Sequence, residues 1–486
     1  MDARRMLAPA IARCAALLLA GCTLGPDFHA PDPPSSTRYL PAPSADTLTA
    51  EAATQRFVAA DDIRADWWTL FASPKLDALV GQSLAASPTL DEARARLVEA
   101  QRNRDAGASA ALWPSANLRT GIERQRIDPS VLGFPAAPNP GPFTLYNIGV
   151  DVSYTFDVFG GTRRQLEGLA AQVDYARFEL EAAQRMLAAN IVTTALRQAS
   201  LVAQIDALER IAGAQRDSLS IAQHRYGLGA IAEVELANQR ALTAQTAARL
   251  PPLRAELAQT AHRLAVYAGR EPAATDTTPF TLADFTLPAE IPLTLPSQLA
   301  MRRPDVRASE ALLHRASADV GVAAANLYPQ FTLTGGASST RTALNEIGNG
   351  LNLWNIGLAL MQPLLRGPEL RARERAAVAA FDAAKAAYRQ SVLHALQNVA
   401  DTMRALEADT RLLAARSDEA AAAQRAYEIT RQRFALGAVS QLALLDAERT
   451  RLEATLARSE AEAARHADTA ALLDALGGGW WGDAPK

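Results

Sequence analysis

Apolar residues return every seventh position along two very long stretches of this chain, and every second position along short segments that precede them. Leu166, Val173, Leu180, Leu187, Leu201 and Leu208, with Thr194 among them, mark a first stretch from about Gly161 to Tyr226. Val392, Val399, Leu406 and Leu413 mark a second, from about Gly367 to Phe434. A seven-residue apolar period is a coiled-coil seam, and the Ala between lets helices approach closely. At 1.5 Å per residue each helix would be roughly 100 Å long, so each needs partners along its length. Both stop at matching turns, Arg225-Tyr226-Gly227-Leu228-Gly229-Ala230-Ile231 and Arg433-Phe434-Ala435-Leu436-Gly437-Ala438-Val439. Gly229 and Gly437 supply the left-handed residue that ends a helix. A returning helix follows each turn. The second, Ala447 to Leu476, is uninterrupted, whereas Pro251-Pro252 in the first predicts a break or kink, near 3 kcal/mol per internal Pro.

The period-two segments predict strands. Tyr146, Ile148, Val150, Val152, Tyr154 and Phe156 alternate with Asn147, Gly149, Asp151, Ser153, Thr155 and Asp157. Trp354, Ile356, Leu358 and Leu360 alternate with Asn355, Gly357 and Ala359. Weaker segments precede each, with Leu118, Thr120 and Ile122 in one and Phe331, Leu333, Gly335 and Ala337 in the other. An aromatic-tipped apolar face opposite a polar one, at close to 9–11 residues, is the pattern of an outer-membrane barrel strand. Four strands cannot close a barrel, because single-chain barrels start at eight. A membrane role therefore requires several copies; two would give eight strands and three would give twelve.

The plan occurs twice, about 210 residues apart. Ser87-Pro88-Thr89-Leu90-Asp91 opens a helix that ends at Leu112-Trp113-Pro114; Arg303-Pro304-Asp305-Val306-Arg307 opens its counterpart, which ends at Leu327-Tyr328-Pro329. The expected organisation is a signal segment at 1–21, an extended linker at 22–60, a first repeat at 61–270 with strands near 115–126 and 145–158, and a linker at 271–296. A second repeat at 297–476 has strands near 330–339 and 352–363, and a tail covers 477–486. The 127–144 loop holds five Pro and is expected to face outward.

The front end places the protein. Arg4 and Arg5 precede a short apolar run, and Leu19-Ala20-Gly21-Cys22 closes it. This is a secretory signal with the form of a bacterial lipobox, in which Cys22 carries a covalent N-acyl diacylglyceryl lipid. The other Cys, Cys14, leaves with the signal, so no disulfide framework is expected. Thr23, rather than Asp, follows Cys22; by resemblance to bacterial lipoproteins this implies sorting to the outer membrane. The full chain carries a net charge of −3, which argues against nucleic acid as a partner.

Catalytic and cofactor chemistry is not expected. Gly227-Leu228-Gly229-Ala230-Ile231-Ala232 fits a loose dinucleotide fingerprint but follows a long helix instead of a strand. The six His are scattered, without metal-ligand spacing.

Taken with Cys22 and Pro26-Asp27-Phe28, several motifs resemble the TolC-like outer-membrane efflux proteins, in particular the lipoprotein branch that includes NodT and OprM. They are Asp66-Trp67-Trp68 with Phe71 and Pro74; Leu295-Pro296-Ser297; Arg302-Arg303-Pro304-Asp305-Val306; Tyr328-Pro329; Leu444-Leu445-Asp446-Ala447; and Ala475-Leu476-Gly477-Gly478-Gly479-Trp480. The resemblance implies a homotrimer, with one shared 12-stranded β-barrel and a long coiled-coil α-barrel reaching into the periplasm. It implies a passive duct for drugs or other small amphipathic compounds, working with a periplasmic adaptor and an inner-membrane pump. The turns at Gly229 and Gly437, with Arg225 and Arg433, would dock the adaptor. Leu442 and Asp446, with Glu235 in the first repeat, would constrict the tip; family members often carry a further acidic residue where this chain has Ala443. Tyr146, Ile148, Val150, Val152, Tyr154, Trp354, Ile356 and Leu358 would face lipid. A type I protein-secretion duct and a lipid-anchored scaffold without a channel are the alternatives.

Overall fold

The computed structural model describes residues 23–41, 47–51, 53–60, 63–128, 133, 138, 141–274 and 278–478. Cys22, Gly479, Trp480 and most of the Pro-rich 127–144 loop lie outside them. The elements are β1 Thr47–Ala50, β2 Ala53–Ala59, α1 Pro74–Ala86, α2 Pro88–Leu112, β3 Ser115–Gln125, β4 Phe143–Phe156, α3 Gly161–Gly227, α4 Glu233–Tyr267 and β5 Glu290–Leu293. They continue with α5 Pro296–Arg302, α6 Pro304–Ala325, β6 Gln330–Arg341, β7 Leu353–Met361, α7 Gly367–Ala435 and α8 Gln441–Ala475. The chain forms two compact units, each assembled from three separate pieces.

The first unit contains 96–176 and 309–388, together with the chain before 32. At its centre is a four-stranded antiparallel sheet in the order β3-β4-β6-β7. Asp157 ends the β4 segment and starts α3: its two carboxylate oxygens accept from the backbone N–H of Thr162 and Arg163 at 3.0 and 2.9 Å. Those N–H groups have no partner inside the helix, and an acidic cap suits its dipole.

The second unit contains 32–95, 177–308 and 389–486. Its core is the seam predicted from the seven-residue period. Leu187, Leu201 and Leu208 on α3, and Val392, Val399, Leu406 and Leu413 on α7, are all buried. Ala207, Leu208 and Ile211 of α3 pack with Leu452 and Leu456 of α8, and Leu250 and Leu253 of α4 close over them.

The break expected at Pro251-Pro252 does not occur. Helix α4 runs unbroken from Glu233 to Tyr267 with both Pro inside it. The missing N–H groups free two carbonyls, yet Leu250 and Leu253 anchor the same turn to the core. Arg254–Glu209 at 2.6 Å and Glu256–Arg197 at 2.7 Å tie the following turn to α3. Tertiary contacts override the local penalty.

A second difference concerns the segments read as linkers. Strands β1 and β2 pair antiparallel as a hairpin, and β2 pairs in parallel with β5, giving a sheet in the order β1-β2-β5. Arg465 of α8, fully buried, holds this hairpin. Its guanidinium donates to the carbonyls of Leu48, Ala50 and Ala53 and to Gln55 Oε1, at 3.0–3.3 Å. Gln55 in turn donates to Thr469 at 3.2 Å. A strand period of four to seven residues in a polar segment carried too little pattern to read.

Two carboxyls face each other between α7 and α8. Burial, followed by the charge of Asp468, pushes Asp409 up to about 6, and burial also raises Asp468. An acid whose pKa rises on folding binds more protons in the folded state between its two pKa values. Stability is then greatest below the unfolded value and falls as pH rises toward the folded one, here from about pH 4 to about pH 6. Asp409→Asn should flatten this slope and stabilise the protein at neutral pH, as read from denaturant midpoints across that range.

Candidate membrane face and helical turns

The register of the four-stranded sheet sorts its side chains into two faces. One row across all four strands is Leu118, Val150, Ala337 and Trp354; the next is Ala116, Val152, Gly335 and Ile356. Tyr154, Leu333 and Leu358 continue the same face, followed by Phe156, Phe331 and Leu360. The opposite face carries Asn117, Asp151, Gly336 and Asn355 in one row and Ser115, Ser153, Thr334 and Gly357 in another. Arg119 meets Asp151 there at 3.3 Å. Ile148, Val150, Val152, Trp354, Ile356 and Leu358 are exposed, Trp354 by 79 %, while Tyr146 and Tyr154 are half-buried. An apolar sheet face this extensive on a soluble protein would be an association hazard. Strand β7 is exposed at every residue, and β3 at nearly every one, and both outer strands present open edges among the described residues.

The two helix-ending turns are copies at atomic detail. Gly229 N donates to Tyr226 O and Ala230 N to Arg225 O, at 2.9 and 2.8 Å. Gly437 N donates to Phe434 O and Ala438 N to Arg433 O, at the same distances. This double bond pattern with a left-handed Gly is a Schellman cap, and φ is +67° at Gly229 and +72° at Gly437. Arg225 and Arg433 therefore contribute main-chain carbonyls to the turns. A Cβ on either Gly would meet nothing within 4 Å, so Gly437→Ala should cost only the left-handed backbone penalty, about 1–2 kcal/mol. Loss of helicity confined to that turn, seen by hydrogen exchange, is the expected result.

Past the second turn, Ser440 caps α8 by accepting from Ala443 N at 3.2 Å. Leu442 is 65 % exposed. Asp446 pairs with Arg449 at 2.7 Å, and Arg449 also reaches Glu453 at 3.3 Å. The Asp446 hydrogen bond, chiefly, holds the Arg449 pKa above its ordinary value. Within one chain, the nearest charge to Asp446 is thus a cation one turn away, which tempers a purely acidic reading of this position. Glu235 sits in the first turn of α4, where an acidic side chain suits the helix dipole.

The sequence reading missed a clasp on the segment that follows Cys22. Arg164, nearly buried, donates to Leu24 O at 3.2 Å and pairs with Asp27 at 2.6 Å and Glu167 at 2.8 Å. Leu24 N donates to Phe159 O at 3.2 Å, and Phe28 stacks on His314 with ring centres 4.3 Å apart. The Pro26-Asp27-Phe28 motif was visible in the sequence; its partners, some 140 and 290 positions away, were not.

The outer membrane efflux protein family model matches residues 79–270 and 295–478. The pyoverdine export outer membrane protein OpmQ of Pseudomonas aeruginosa is 30% identical over 483 residues, covering 97% of each chain. Nodulation protein T of Rhizobium leguminosarum bv. trifolii is 26% identical over 472 residues, covering 96% of each. The solved outer-membrane channel OprN has a TM-score of 0.80 at 30% identity, covering 94% of this chain and 100% of that one.

Proposed function

The chain belongs to the outer membrane efflux protein family, and on that premise we propose that three copies form one passive duct through the outer membrane and into the periplasm. Twelve strands close a shared barrel, and the long helices line a tunnel. The observation that carries this reading is the four-stranded sheet, apolar and exposed on one face, polar on the other, with both outer edges open. Tyr146, Ile148, Val150, Val152, Tyr154, Trp354, Ile356 and Leu358 face lipid. Cys22 carries the acyl anchor, and the Arg164 clasp fixes the chain just behind it.

A periplasmic adaptor docks at the turns around Gly229 and Gly437, and an inner-membrane pump supplies energy and selects cargo. Leu442, Asp446 and Glu235 narrow the tunnel mouth, where three copies of a carboxylate favour cations over anions. The cargo is small and amphipathic. OpmQ, the relative at 30% identity, is named for pyoverdine export.

Deleting the gene should lower tolerance to small amphipathic toxicants and leave the secreted proteins unchanged. Loss of one secreted polypeptide with unchanged tolerance would instead point to protein secretion and overturn the efflux reading.

A further inference from the structure

The internal duplication specifies how one copy meets the next. Tyr146-Asn147-Ile148-Gly149-Val150 and Trp354-Asn355-Ile356-Gly357-Leu358 match with a shift of 208 positions, and Trp113-Pro114 and Tyr328-Pro329 match with a shift of 215. The strand pairing obeys the same two shifts. Ser115 faces Ser153 in the first hairpin, and Gln330 faces Met361 in the second. Strands β3-β4 and β6-β7 are therefore copies in register as well as in sequence.

The β4–β6 contact joins the second strand of one hairpin to the first strand of the other. Its copy would join β7 to β3. These strands lie at opposite edges of an open sheet, about 14 Å apart at 4.8 Å per strand, so the chain cannot make that contact with itself. They are antiparallel, as closing a ring requires. We propose that β7 of one copy pairs with β3 of a second copy in the register that the duplication dictates: Leu358 opposite Ile122, Ala359 opposite Gly121, and Leu360 opposite Thr120. This rests on the oligomeric barrel proposed above and adds its seam.

Three features agree with that register. The transferred pairs keep the apolar face continuous, whereas a one-residue slip would turn every β3 side chain to the other face. Three pairs within the chain are Val150–Ala337, Asp151–Gly336 and Val152–Gly335, with a small residue opposite each of these three β4 positions. Gly121 and Thr120 keep two of those three small at the seam. Finally, Tyr146 faces Arg341 within the chain. The same shifts set Trp354 opposite Arg126 of the second copy, again an aromatic opposite an Arg, and such pairs attract.

Cysteine pairs test the register in membranes, since the only natural Cys of the chain are Cys14, in the signal segment, and Cys22, at the lipid site. Leu358→Cys with Ile122→Cys should give a covalent trimer on oxidation. Ala359→Cys with Gly121→Cys, at two small positions, should do the same. Leu358→Cys with Thr120→Cys, or with Arg124→Cys, places the Cα atoms about 7–8 Å apart diagonally, beyond ordinary disulfide reach. These should give at least about tenfold less covalent trimer. A protein that runs as a native trimer but cross-links best through a displaced pair, or through neither matched pair, overturns the register. A protein that runs as a native monomer overturns the barrel on which the register rests.

Discussion

Val150→Arg should remove the assembled protein from the outer membrane, and Ile356→Arg should do the same. Val150 sits mid-row between Leu118 and Ala337, and Ile356 lies beside Gly335 on the same exposed apolar face. A lipid-facing Arg near the bilayer midplane costs about 2–4 kcal/mol, and a closed ring carries that penalty once per copy. Asn355→Arg changes the neighbouring position on the polar face, so it should leave assembly close to normal. The readout is the amount of heat-modifiable oligomer in purified outer membranes. Equal oligomer from Val150→Arg and Asn355→Arg would mean that the apolar face meets protein or water instead of lipid.

Arg465→Met should destabilise the second unit more than any surface change. The side chain is fully buried and donates to three main-chain carbonyls and Gln55. Burial pulls its pKa below the ordinary arginine value, with the Glu51 charge opposing that shift. Met preserves much of the volume but leaves several buried acceptors without a donor, at about 1–3 kcal/mol each before relaxation. A net loss of roughly 3–5 kcal/mol is expected. The β1-β2 hairpin should come loose first, so proteolysis within 47–59 reports the effect. Gln55→Leu removes one acceptor and one donor and should cost less.

The helices and membrane-type strands were legible because burial repeats at fixed periods. Seven-residue recurrence marked α3 and α7, and alternation marked β4 and β7 to within a few residues. The paired turns were legible because a left-handed backbone selects Gly. What stayed hidden were contacts between distant positions. Nothing near Arg465 in sequence indicates that it holds residues 48–55, and nothing near Arg164 indicates Asp27. No break forms at Pro251-Pro252 because Leu250 and Leu253, packed on the core, hold the turn that local propensity alone would open.

Some of the residues behind the family resemblance prove to be joints. Arg303 donates to Asp305 at 2.9 Å and to Ala475 O at 2.8 Å. A Cβ on Gly478 would lie 2.7 Å from the Trp67 ring. The RRPDV and DWW pieces thus each meet the chain at 475–478 within the second unit. They record how this fold is fastened.

Purified full-length protein reconstituted into planar bilayers, with its native mass measured on the same sample, should be a trimer with stepwise ion conductance and a preference for cations that weakens in Asp446→Asn. A monomer that leaves the bilayer non-conducting would mean that this chain is not one third of a conducting duct.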